Sequence, residues 1–165
     1  MTIPVWFLTL PGVMTLDMAG PAETLRLACR DVALYYTGPD ATVFTSTRMT
    51  LSNILPLPER LPSGSILIVP GLENSQHQLT LPAATEACLW LRHQQAAIHR
   101  GEITLVCICA GALLAARAGL LDGVLCTTHH QLLARLRESA PAARVLDNRI
   151  FVEDGGIWTS AGITT

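Results

Sequence analysis

The segment Ile103-Thr-Leu-Val-Cys-Ile-Cys109-Ala-Gly-Ala-Leu-Leu-Ala-Ala-Arg-Ala-Gly119 limits what this chain can fold into more than any other. It opens as an apolar, β-branched run that predicts a strand from Ile103 to Cys107. At Cys109-Ala-Gly111 it gives way to small residues, and Ala112 to Gly119 predicts a helix with Gly119 as the residue after its last turn. A strand apolar on both faces needs cover above and below, which antiparallel sheets with one wet face do not give it. The segment therefore calls for a parallel sheet between layers of helices.

The rest of the chain agrees. Val5-Trp-Phe-Leu8 and Ile66-Leu-Ile-Val69 are further runs of the same kind, the first within a strand from Ile3 to Leu10 that Pro11-Gly12 ends. Asp17 then lies on the loop after that strand, and Gly20-Pro21 marks the start of a helix continued by Glu23, Thr24, Leu25, Leu27 and Ala28. Val32 to Thr37 and Thr42 to Ser46 read as short strands parted by Gly38-Pro39-Asp40. A Pro-rich link from Leu55 to Pro62 leads into the strand at Ser65 to Val69, which Pro70-Gly71 ends. Ala84, Ala87, Cys88, Leu91 and Ile98 predict an amphipathic helix over 81–100, the crossover of a βαβ unit. Beyond Val124, Gln131 to Arg137 reads as a short helix, and Arg149 to Trp158 as a hairpin turning at Asp154-Gly155-Gly156. The fold class expected is α/β: a three-layer sandwich with a mostly parallel sheet, flavodoxin-like, in one domain. A chain of 165 residues has room for such a core.

Composition removes several functions. With a net charge of −2 the chain has no basic field for a polyanion, so it should not hold nucleic acid by itself. Met1 precedes no basic leader and no apolar stretch of spanning length, and the expected location is cytoplasmic, without membrane contact. Five cysteines, an odd number at irregular spacing, argue for reduced thiols. Cys107-Ile-Cys109 is not a zinc spacing, and neither a metal nor a cofactor is expected.

Chemistry converges on Cys109. A buried strand, a tight turn and a helix form a nucleophile elbow, which lifts one side chain above the sheet edge. The helix N-terminus at that point is expected to lower the thiol pKa. The bland alternative, a small buried hydrophobe, suffices for Cys29, Cys88, Cys107 and Cys126. His129 could serve the thiol as base or partner, with His130 beside it as a rival and a capping role as the alternative. Asp17 could share a hydrogen bond with the thiol or merely cap a helix.

In order along the chain, Ile66-Leu-Ile-Val-Pro-Gly71, Val106-Cys-Ile-Cys-Ala-Gly-Ala112, Ala118-Gly-Leu-Leu-Asp-Gly123, Thr127-Thr-His129 and Thr159-Ser-Ala-Gly-Ile-Thr164 resemble the conserved blocks of the ThiJ/PfpI superfamily, with its class I glutamine amidotransferase-like fold. Together with the hairpin at Arg149, they look most like the amino-terminal domain of AraC-type transcriptional regulators. The resemblance implies that Cys109 is the elbow cysteine, His129 the histidine that approaches it, and Asp17 the acid facing the thiol. It further implies a ligand and oxyanion site at Gly71, Leu72, Ala110 and Gly111, with the amides of Leu72 and Ala110 as donors. Two positions depart from the pattern: Leu72 replaces the second glycine of a common Pro-Gly-Gly, and Ala110 stands where isocyanide hydratases of the superfamily carry threonine.

The reading that follows is a ligand-sensing and dimerising domain whose Cys109 pocket binds a small metabolite. DNA would be contacted through a helix-turn-helix domain expected beyond residue 165. A homodimer is expected from the apolar composition and the superfamily's habit. The alternative is a cysteine-dependent hydrolase or hydratase, and a redox-sensing thiol is compatible with either.

Overall fold

A computed structural model describes residues 1–162; Ile163 and Thr164 of the last sequence block, and Thr165, lie outside the described residues. The elements run β1 (Ile3–Leu8), α1 (Thr15–Ala28), β2 (Val32–Thr37), β3 (Val43–Phe44), β4 (Thr50–Leu51), β5 (Ser65–Val69), α2 (Ser75–Gln78), α3 (Pro82–His93), α4 (Gln95–His99), β6 (Ile103–Ile108), α5 (Gly111–Arg117), β7 (Leu125–Cys126), α6 (Leu133–Ser139), β8 (Arg144–Val145), β9 (Phe151–Asp154) and β10 (Ile157–Ser160). A single 3-10 turn, His130–Leu132, precedes α6.

The main sheet has the order β2-β1-β5-β6-β10-β9 and is parallel except for the β9–β10 hairpin. The expected α/β architecture, a mostly parallel sheet flanked by helices, is therefore present. The chain moves from β1 outward to β2 and then returns to the other side of β1 at β5. That reversal opens a crevice at the carboxyl ends of β1 and β5, the usual place for a site in an open α/β sheet. Ile68 is level with Val106, and Val69 with Cys107, so the turn after β6 emerges beside the turn after β5.

On one face of the sheet, Leu67, Leu105 and Cys107 are fully buried, α4 and α5 pack over them, and α3 packs against α5 and α4. On the other face Val5, Phe7 and Ile68 are buried, while Ile66, Val106 and Ile108 are half-buried and Phe151 and Trp158 are exposed. The uniform burial expected of β6 is thus an alternation: α1 covers the β1 side of that face and leaves the β6–β10–β9 side open among the described residues.

Three local readings are corrected. Helix α1 starts at Thr15, ahead of Pro21, so Asp17 sits in its first turn and not on a loop. Pro21 falls inside the helix, where its missing N–H leaves the Asp17 carbonyl without the usual i−4 donor. The long crossover helix is two, α3 and α4, meeting at Gln94, whose buried side chain donates to the Glu59 carbonyl. The hairpin turn is as read: Gly155 and Gly156 at φ of 60° and 83° form the left-handed pair a two-residue connection needs.

Candidate functional site

Cys109 follows the last residue of β6 and precedes α5. Its φ of +53° lies in the left-handed region, costly for a residue with a Cβ. Hydrogen bonds hold it there. Its amide donates to the Ser160 carbonyl at 3.0 Å, and its carbonyl accepts from Thr128 Oγ1 at 2.7 Å and from the Ala112 amide at 3.2 Å. Strands β6 and β10 and the loop before α6 therefore fix one strained residue with its side chain above the sheet edge.

Close backbone approach explains the small neighbours. A Cβ at Gly111 would lie 2.1 Å from the Val69 carbonyl oxygen, which is why α5 can start directly against the end of β5. At Gly71 a Cβ would lie 2.5 Å from Asp17 Oδ2 and 3.1 Å from Cys109 Cβ. Gly71 is thus the thin partition between the acid and the cysteine. Its amide donates to Asp17 Oδ2 at 3.0 Å, and Asp17 Oδ1 is buried without a partner among the described residues. Past β10, a Cβ at Gly162 would come within 2.7 Å of Cys109 Cβ and 3.2 Å of Sγ.

Electrostatics overturn one expectation. Burial pushes the Cys109 thiol above the ordinary cysteine range, and the charge of Asp17 pushes it the same way; the Ala110 amide, which bonds the sulfur, pulls it down by less. The turn after β6 thus holds a thiol that ionises reluctantly, because desolvation outweighs the local donor. Burial also raises Asp17, against the pull of the Gly71 amide. The thiols of Cys107 and Cys126 are raised by burial as well, Cys126 to about 11, and all five cysteines are free.

Cys109 opens on a cleft of ≈ 360 Å³ whose walls include Met14, Leu72, Ser75, Ala110, His129 and Arg135. Among the residues singled out in sequence, Cys109, Leu72, Ala110 and His129 share this cleft. Asp17 stands behind Gly71, and Gly111 is buried beneath the turn. The neighbouring histidines part company: His129 faces the cysteine cleft, and His130 faces a separate hollow with Thr128 and Arg149. His129 Nδ1 accepts from the Gln131 amide at 3.3 Å, so the capping role is real, and the neutral ring then carries its proton on Nε2. Burial first and His130 second lower its pKa. The Leu72 amide makes no hydrogen bond among the described residues. In its bridge with Val13 the bonds are Met14 N–H to the Gly71 carbonyl and Glu73 N–H to the Gly12 carbonyl, which turns the Leu72 amide away from that strand.

Sequence reasoning missed Arg135, Ser75 and Met14 as cleft residues. The spacing of Gln131 and Arg135, one helical turn apart and both on the cleft wall, is the signal that could have found the arginine. Among the described residues no cluster of His, Cys, Asp or Glu could hold a metal, and no helix is long and apolar enough to cross a membrane.

A match to the DJ-1/PfpI family spans residues 5–165. The chain belongs to this family. The DJ-1/PfpI domain is 34% identical over 166 residues to the HTH-type transcriptional regulator CdhR of Pseudomonas aeruginosa, covering 96% of this chain and 46% of that protein. It is 30% identical over 167 residues to the isonitrile hydratase of Pseudomonas putida, covering 99% of this chain and 67% of the enzyme. In structure it superposes on a ThiJ/PfpI family protein from Pseudomonas syringae with a TM-score of 0.80 at 20% identity, over 99% of this chain and 64% of that one. The DJ-1/PfpI domain thus spans less than half the length of the regulator it resembles.

Proposed function

We propose that this DJ-1/PfpI domain is the ligand-sensing and dimerising part of a cytoplasmic AraC-type transcriptional regulator. In this reading a small metabolite binds in the Cys109 cleft, and DNA is contacted by a helix-turn-helix domain outside these residues. The observation that carries the reading is the 34% identity to a transcriptional regulator along nearly the whole chain. The thiol fits it: a sulfur held mostly protonated by burial and by Asp17 suits recognition better than attack. Leu72 narrows the cleft where the amide alone would serve an oxyanion.

Sensing requires that the metabolite bind the two DNA-binding states unequally, since equal affinity shifts nothing. The test is DNA binding by the intact protein, on the DNA upstream of its own gene, with and without a panel of metabolites. A metabolite that changes DNA affinity supports the reading; constant affinity across the panel sinks it.

A hydrolase or hydratase is the second reading, and one observation favours it: the Ala110 amide already bonds the sulfur and the Leu72 amide is uncommitted, as a pair of oxyanion donors would be. Cys109 would be the nucleophile and Asp17 or His129 would handle protons. Cys109→Ser should then abolish turnover of any isonitrile or amide that the protein consumes, and activity that persists in Cys109→Ser would remove the nucleophile.

A further inference from the structure

Arg135 is the one charged side chain on the wall of the Cys109 cleft among the described residues. It sits on α6, half-buried, and its Nη1 donates to the hydroxyl of buried Ser75 at 3.2 Å. Arg26, Arg48, Arg100 and Arg137 each pair with a carboxylate; Arg135 makes no ion pair among the described residues. A guanidinium carries five donors in a planar fork, and a neutral hydroxyl engages one of them. The buried acid nearest the thiol, Asp17, stands behind Gly71 and off the cleft wall. Cation and sulfur therefore share one concave space with no carboxylate on its wall among the described residues.

We propose that the cleft takes a small carboxylate, its carboxyl group gripped by the Arg135 guanidinium and the Ser75 hydroxyl and its remaining atoms lying along Met14 and Leu72 toward Cys109. Ser75 accepts from Arg135 and keeps its own proton to donate, so the two groups form a ready pair of donors for one anionic group. A single guanidinium balances one negative charge, which favours a carboxylate over a dianionic phosphate. The inference rests on reading the cleft as a ligand site and names the class of ligand that site selects.

The sulfur supplies the test. Iodoacetyl-glycine, iodoacetyl-β-alanine and iodoacetyl-4-aminobutyrate carry the same reactive group and end in a carboxylate at increasing reach; their primary amides are the neutral controls. In each, the Cys109 thiolate forms a C–S bond to the methylene carbon, iodide leaves, and the thiol proton goes to solvent. Labelling rates in the intact protein are read at Cys109 and at half-buried Cys29 by mass spectrometry of peptides. For at least one length the carboxylate-to-amide rate ratio should be about tenfold higher at Cys109 than at Cys29, a difference of about 1.4 kcal/mol. Arg135→Gln should bring the two ratios together, and Arg135→Lys should keep part of the preference. Equal ratios at every length, or a preference that survives Arg135→Gln, would overturn the proposal. Ready labelling of Cys109 by the amides without a carboxylate preference would leave the ligand cleft standing and remove only the anion. Failure of every reagent to reach Cys109 would remove both.

Discussion

The Gly71 amide donates to Asp17 Oδ2 at 3.0 Å, tying the end of β5 to the first turn of α1 across 54 positions of sequence. The acid it engages is 2% exposed, and its second oxygen has no partner among the described residues. Burial raises the folded-state pKa of Asp17 above the value of the unfolded chain, so the folded state holds this proton more tightly. The stabilisation this provides is complete below the unfolded pKa and is lost as pH rises through the folded one. Asp17→Asn, uncharged at every pH, should remove that decline. Urea denaturation from pH 4 to pH 8 should show the variant gaining on the wild type as pH rises; a constant difference would contradict the raised pKa.

The same charge acts on the sulfur. Because Asp17 raises the Cys109 pKa, Asp17→Asn should lower it and speed alkylation of Cys109 by iodoacetamide at neutral pH. In the wild type the rate should keep climbing beyond the pH at which an ordinary thiol levels off. A variant no faster than the wild type would mean that burial alone sets the thiol's ionisation.

Gly111 touches the end of β5 so closely that no side chain fits. Gly111→Ala would place a methyl group 2.1 Å from the Val69 carbonyl oxygen, with main chain on both sides and no flexible group to yield. The expected loss is at least about 3 kcal/mol, the range of severe overpacking. It should appear as a fall in the urea midpoint or as insoluble protein.

Thr159 is a structural hydroxyl under the site. Its Oγ1 accepts from the buried Thr127 amide at 2.9 Å, joining β10 to the loop that carries Thr128 and His129. Thr159→Val keeps the shape and leaves that N–H without an acceptor, which should cost about 1–3 kcal/mol in urea denaturation. Thr128→Val removes the 2.7 Å bond to the Cys109 carbonyl, which still accepts from Ala112. Its cost should be smaller, about 1 kcal/mol.

How far the sequence reveals this molecule depends on the range of the interactions involved. The strands at Val5, Ile66 and Ile103 and the turn at Cys109 are set by local patterns of apolar and small residues, and they appear where those patterns place them. Pro21 misleads because proline is read as a helix start, whereas α1 begins six residues earlier and absorbs one missing donor. The choice between His129 and His130 depends on which way a short turn faces, a tertiary matter. So is the thiol's ionisation: the helix N-terminus visible in sequence argues downward, and burial with Asp17, invisible there, wins. Arg135 escapes notice because its importance comes from Ser75, 60 positions away, and from the absence of a carboxylate partner.

The contact between Cys109 and Gly162 couples chemistry to the path of the chain. A Cβ on Gly162 would lie 2.7 Å from Cys109 Cβ and 3.2 Å from Sγ, so the room beside the sulfur where β10 leaves the sheet is the volume of one missing methyl group. Any side chain at residue 162 would act as a stopper in that space.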